Sequence, residues 1–303
     1  MLKVNWYLML SVLIFFLTSC SSDDELRDLD ESIVGSGSVM FDYSFDGFNK
    51  SMEIFYHIPQ NKTQTTPILI VFHGVGRNAS DYRNSLIERA DALNFIVIAP
   101  KFSTQNFPGG DQYNLGNVYV DGDNPSANTL NPEGEWAFSI VEPLFDFIKE
   151  KIGNSNPTYK IFGHSAGAQF AHRFLLFKEN NRADQIVVSA AGWYTFPDES
   201  VDFPYGISNS ILLNSSLELF LAKNIRVQVG ELDSDPETSS LRRNVFADAQ
   251  GLHRLERATN FFNFSQELAQ NLETPFNWNF TIRNAAGHNF RSAAVDAANY
   301  LYQ

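Results

Sequence analysis

Ser165 is the residue in this chain whose setting best suits covalent chemistry. It stands at the centre of Gly163-His164-Ser165-Ala166-Gly167, after the strand-like run Tyr159-Lys160-Ile161-Phe162 and before a helix-forming stretch over 166–178. A serine on a sharp strand-to-helix turn needs small residues two positions to either side, because two backbones converge there. The pentapeptide alone arises often by chance; the strand before it and the helix after it give it meaning. A hydroxyl is a weak nucleophile near neutral pH and needs an imidazole to take its proton. Six histidines are available: His57, His73, His164, His172, His253 and His288. The imidazole in turn needs a carboxylate to orient it. Glu231, Asp233 and Asp235, just past the apolar run 225–229, are candidates.

These residues have to be carried by a regular scaffold, and the pattern supplies one. Residues 68–72 and 95–99 are continuous β-branched apolar runs, as expected of strands buried on both faces of a parallel sheet. Further strands are expected over 39–45, 51–58, 159–162, 185–191, 225–229 and 276–283. Helices are expected over 82–93, 135–152, 166–178, much of 244–272, and 293–302. Residues 102–132 form a long Gly-, Asn- and Asp-rich loop, and 192–224 an insertion of mixed character. Strand and helix alternate without an internal repeat, which predicts a single α/β domain with a mostly parallel central sheet and helices on both faces.

Taken together, the motifs resemble the α/β-hydrolase superfamily. Beyond the elbow, His73-Gly74-Val75-Gly76 follows a buried strand and is similar to the His-Gly loop of that fold. The resemblance implies a role for each position. Ser165 is the nucleophile, and Val75 and Ala166 offer the oxyanion-hole N–H groups, with Gly76 as alternative to Val75. His73 braces its loop. His288, in Ala286-Gly287-His288-Asn289-Phe290, is the base, with His253 as rival. Asp233 is the acid, with Asp235 as alternative and Glu231 a distant third. No metal or organic cofactor is called for by such a mechanism.

Within the superfamily the short His-Gly loop and compact body resemble the polyhydroxybutyrate-depolymerase and feruloyl- or acetylxylan-esterase branch. That implies a serine carboxylic-ester hydrolase acting on short or aromatic acyl esters of extracellular glycans. Tyr113, Asn114, Trp136, Trp193 and Tyr194 are candidates for a pocket with aromatic walls and polar edges. A lipase or serine peptidase of the same fold is the alternative, the leucines of 192–224 being a possible apolar groove. A glycan-binding surface lipoprotein without activity is a third reading.

The N-terminus reads as an address. Lys3 precedes an apolar stretch over 8–17, and Leu17-Thr18-Ser19-Cys20 resembles a bacterial lipobox. Cys20 is the only cysteine in the 303 residues, which excludes a disulfide framework and cysteine-rich metal sites. The expected organisation is a signal peptide over 1–19, a lipidated Cys20 with an acidic tether over 20–37, and a catalytic domain over 38–303. The resemblance implies a lipid-anchored protein of the bacterial envelope, at the outer membrane. A net charge of −13, with Lys and Arg scattered singly, argues against nucleic acid as a partner.

Overall fold

The computed structural model describes residues 28–303. Cys20, the signal stretch and most of the acidic tether lie outside the described residues.

Eight strands form one sheet in the order β1-β2-β4-β3-β5-β6-β7-β8. They are β1 (Gly35–Phe45), β2 (Phe48–Ile58), β3 (Ile68–Phe72), β4 (Ile96–Pro100), β5 (Tyr159–His164), β6 (Ala183–Ser189), β7 (Ile225–Gly230) and β8 (Asn279–Arg283). The β1–β2 hairpin and the β2–β4 pair are antiparallel, and the remaining pairs are parallel. Parallel strands send their C-terminal ends to one edge of the sheet, where an open α/β fold assembles its sites.

Period-two alternation divides the strand side chains between two cores. Ile68, Ile70 and Phe72 of β3 join the larger cluster, and Leu69 and Val71 join the smaller one on the opposite face. The larger cluster packs against α3 (Val141–Ile152), α4 (Ala166–Phe177), α5 (Leu217–Leu221) and α7 (Arg254–Asn271). The smaller packs against α1 (Ala79–Asn84), α2 (Ile87–Leu93) and α8 (Phe290–Tyr302). Ala293, Ala294, Ala297 and Ala298 let α8 lie close against Phe162 and Val187.

Some boundaries differ from the sequence pattern for local reasons. The helix expected over 82–93 is two, α1 and α2, separated where Ser85 Oγ donates to the Tyr82 carbonyl and Leu86 turns into the core. The helical region over 244–272 is likewise divided into α6 (Val245–Ala249) and α7. Gly251 at φ +138 breaks it, and His253 caps the new helix by accepting from the Glu256 N–H. At the N-terminal side, β1 starts at Gly35, and Leu29 is buried in the larger core.

Candidate active site

The turn between β5 and α4 places Ser165 at φ 57, ψ −115, a conformation that non-glycine residues seldom adopt. Such a backbone costs of order 1–3 kcal/mol and persists only where its surroundings enforce it. They do so here. The Ser165 N–H donates to the Ser189 carbonyl at 2.9 Å. A Cβ on Gly163 would sit 2.3 Å from the Gly167 carbonyl oxygen, and one on Gly167 only 2.0 Å from that of Phe72. Both flanking glycines are therefore steric requirements of the crossing between strand and helix.

The His73-Gly74 loop lies directly against the elbow, since a Cβ on Gly74 would be 3.7 Å from Ser165 Cβ. Arg77 N–H donates to the Gly74 carbonyl and closes a turn in which the Val75 and Gly76 N–H groups have no acceptor among the described residues. Ala166 is the first residue of α4, so its N–H is one of the unpaired donors of a helix N-terminus. His73 is fully buried. It accepts from the Phe102 N–H through Nε2 and bonds the Gly74 carbonyl through Nδ1, which places the ring proton on Nδ1.

Burial holds His73 neutral, its pKa pushed down to about 4. The unfolded chain therefore takes up a proton first as pH falls. This contribution to stability is complete above about pH 6.5, declines below it and is gone near pH 4. It is worth about 3 kcal/mol at most. Urea unfolding at pH 7 and pH 5 is expected to show the loss, and His73→Gln to show a smaller difference between the two. Burial also drives His164 and His172 below the usual histidine range, so part of the pH dependence survives that substitution.

Asp233 and His288 come together from two neighbouring strand ends. His288 Nδ1 lies 2.6 Å from Asp233 Oδ2; the carboxylate is buried, while the His288 side chain keeps 28% of its exposure. Gly230 makes this possible: a Cβ there would fall 2.3 Å from the Ala286 carbonyl oxygen. Leu232 N–H donates to that same carbonyl at 2.8 Å. The His288 ring stands 4.6 Å, centroid to centroid, from His164, the neighbour of Ser165. Its Nε2 is left unengaged, and Ser165 Oγ makes no hydrogen bond among the described residues.

The competing candidates are occupied elsewhere. His253 caps α7. Asp235 is exposed and accepts from the Glu237 N–H, and Glu231 accepts from the Ala285 N–H. Another Ser-His-Asp set exists: Ser36 Oγ lies 2.8 Å from His57 Nδ1, and His57 Nε2 lies 2.9 Å from Asp91. Ser36, however, sits within the ordinary extended strand β1 at the sheet edge, with no helix opening behind it. Residue types alone do not make a site.

Of the five pocket candidates, only Asn114 remains partly accessible near the elbow, donating to Gln169 Oε1 one turn after Ser165. Tyr113 is fully buried instead, its hydroxyl donating to the His73 carbonyl at 2.6 Å, so it supports the His-Gly loop from below. Tyr194 stacks on Phe261 in the core. Trp193 lies under the Arg173 guanidinium at 4.0 Å. Trp136 packs on Phe177, the last residue of α4, about 18 Å of helix from Ser165. Large aromatic rings gain most by complete burial, and these four take it. Sequence reasoning missed Arg254, a buried guanidinium whose Nη1 lies 3.4 Å from Asp233 Oδ1.

Among solved structures, poly(aspartic acid) hydrolase-1 from Sphingomonas sp. KT-1 is similar to this chain at 33% identity and a TM-score of 0.82, over 89% of this chain and 99% of that one. The poly(3-hydroxybutyrate) depolymerase LpqC from Bordetella parapertussis is similar at 26% identity and a TM-score of 0.81, over 92% and 95% of the two chains. A fluorophosphonate-binding serine hydrolase of Staphylococcus aureus, at 12% identity and a TM-score of 0.54 over 89% and 99%, shares the fold. No family model and no curated protein matches the sequence.

Proposed function

This chain belongs to the α/β-hydrolase superfamily of serine hydrolases, and we propose that it cleaves carboxylic esters through an acyl-enzyme formed on Ser165. The observation that supports this reading most is the Asp233–His288 contact, set beside the strained elbow of Ser165.

Asp233 fixes the tautomer of His288 with the proton on Nδ1, so that the Nε2 lone pair faces substrate chemistry. His288 takes the Ser165 proton as Oγ attacks the acyl carbon. The oxyanion is received by the N–H groups of Val75 and Ala166, at the N-terminus of α4. The tetrahedral adduct then collapses: the ester C–O bond breaks, and His288 returns the proton to the departing alcohol. Water, deprotonated by the same imidazole, adds to the acyl-enzyme; the bond between Ser165 Oγ and the acyl carbon then breaks, His288 returns the proton to Oγ, and the acid leaves.

The substrate class we propose is a short or aromatic acyl ester of an extracellular glycan, met by a protein held at the bacterial outer membrane through lipidated Cys20. Among the described residues no helix is long and apolar enough to cross a membrane. A long-chain lipase is less favoured. Of the six apolar residues of 192–224 that would have formed its groove, Leu212, Leu217, Phe220 and Leu221 are buried in the core, and only Leu213 and Leu219 are exposed. A second reading has its own support. Val75 and Leu232 are 70% and 62% exposed beside the site. An open site of that kind admits a polymer backbone, and poly(aspartic acid) hydrolase-1 and the depolymerase are named for polymers.

A p-nitrophenyl ester series from acetyl to palmitoyl, with a feruloyl ester, poly(3-hydroxybutyrate) and poly(aspartic acid), separates these readings. We expect turnover of short and aromatic acyl esters and at least a tenfold decline beyond about eight carbons, where each further methylene needs roughly 0.8 kcal/mol of new burial. Turnover confined to long acyl chains would overturn the glycan-ester reading. Release of oligomers from either polymer would establish the second.

A further inference from the structure

Arg254 is among the most thoroughly buried charges near the site. Its side chain is 2% exposed, and that of Asp233, beside it, 5%. Nη2 donates to Ser240 Oγ at 3.0 Å, and Nε has no partner among the described residues. A buried guanidinium is tolerated when a carboxylate answers it. Here that carboxylate is Asp233, whose two oxygens are divided, Oδ2 facing His288 and Oδ1 facing Arg254. The main chain repeats the link, since Leu255 N–H donates to the Asp233 carbonyl at 3.1 Å. The first turn of α7 is thus tied to both the backbone and the side chain of Asp233.

Resting on the triad proposed above, we infer that Arg254 is a positioning residue of the site. It holds the Asp233 carboxylate from the side opposite His288 and offsets part of the negative charge that the imidazole senses. Removing that cation would leave the carboxylate free to favour the imidazolium more strongly. Other titratable and charged groups stand around the pair, among them Tyr194, whose phenol burial pushes well above its ordinary range. His164, of the elbow, is neutral through burial. Glu231, of the same loop as Asp233, is engaged by Ala285 N–H. Arg283 of β8 is paired with Asp296 of α8 at 2.5 Å. Arg291 of α8 stands 4.0 Å from Asp81 of α1. On α7, Arg257 is paired with Asp248 of α6.

The test compares wild type with Arg254→Lys, which keeps the charge, and with Arg254→Gln and Arg254→Met, which remove it. Two neutral variants are used so that one failing to fold does not decide the matter. Each is followed through the acid limb of kcat/KM for a short chromogenic ester. Each is also followed by NMR titration of the His288 ring in histidine-labelled protein, assigned with His288→Gln. Loss of the charge is expected to raise the His288 midpoint and the acid limb together by about one pH unit. It should also lower kcat about tenfold, while Arg254→Lys keeps the midpoint near that of wild type. A midpoint unmoved in the neutral variants, or moved equally in Arg254→Lys, would overturn the inference. The NMR reading needs no turnover. Wild type without ester hydrolysis would therefore sink the proposed activity and leave the role of Arg254 still decided by the titration.

Discussion

Ser165→Ala is expected to lower kcat on any ester that the wild type turns over by a factor on the order of 10^6, the loss typical when a serine hydrolase is deprived of its nucleophile. Stability should scarcely change. Ser165 Oγ makes no hydrogen bond among the described residues, and alanine meets the same backbone conformation without adding bulk. Unfolding free energies of the two proteins should therefore agree within about 0.5 kcal/mol. Initial rates on p-nitrophenyl acetate, paired with urea unfolding, check both halves. The variant should also lose covalent labelling by a fluorophosphonate probe. Persistent labelling would point to another serine, with Ser36 the first to examine because its hydroxyl already meets an imidazole.

Asp233→Asn carries the second large effect, and here activity and stability should fall together. An amide that donates to His288 Nδ1 selects the wrong tautomer, a change that costs about 10^4 in kcat where such triads have been altered. The buried guanidinium of Arg254 would at the same time lose its carboxylate. Removing one partner of a buried ion pair typically costs about 3–5 kcal/mol. Asp235→Asn is the control: the residue is exposed and joins only a local turn, so its effect on stability should stay within about 0.5 kcal/mol. Thermal unfolding beside ester turnover distinguishes the two. Activity kept in Asp233→Asn and lost in Asp235→Asn would mean that the acid has been assigned to the wrong carboxylate.

The parts of this molecule that could be read from sequence are those where one physical demand dominates. The runs 68–72 and 95–99 had to be buried strands, and β3 and β4 lie there within a residue. Gly163 and Gly167 announced a close crossing, and the crossing leaves no room for a Cβ. Helix interruptions were less visible, because the break before α7 depends on Gly251 at φ +138 and on a histidine acting as cap, an uncommon choice. Pocket residues were the least legible. Tyr113 lies in the long loop over 102–132 and Trp193 just beyond β6, and whether such a ring faces solvent or a neighbouring guanidinium depends on tertiary packing. Arg254 stayed hidden for the same reason. In sequence it is one of several arginines in a charged stretch, and only the fold turns it inward against Asp233. The Asp233–His288 approach did leave a clue in Gly230, since a glycine ending a buried strand implies that another segment passes close by, and that segment carries His288.

The order of the strands has a consequence for how the chain comes into being. Ser165 follows β5, Asp233 follows β7, and His288 comes after β8, which closes the sheet at its far edge. Synthesis proceeds from the N-terminus, so the elbow and its glycines leave the ribosome long before the imidazole that would activate the hydroxyl. With the roles proposed for Ser165 and His288, a nascent chain that ends before β8 would carry a serine without its base. On the proposed roles, the hydroxyl becomes reactive only once the segment beyond β8 has packed against the sheet.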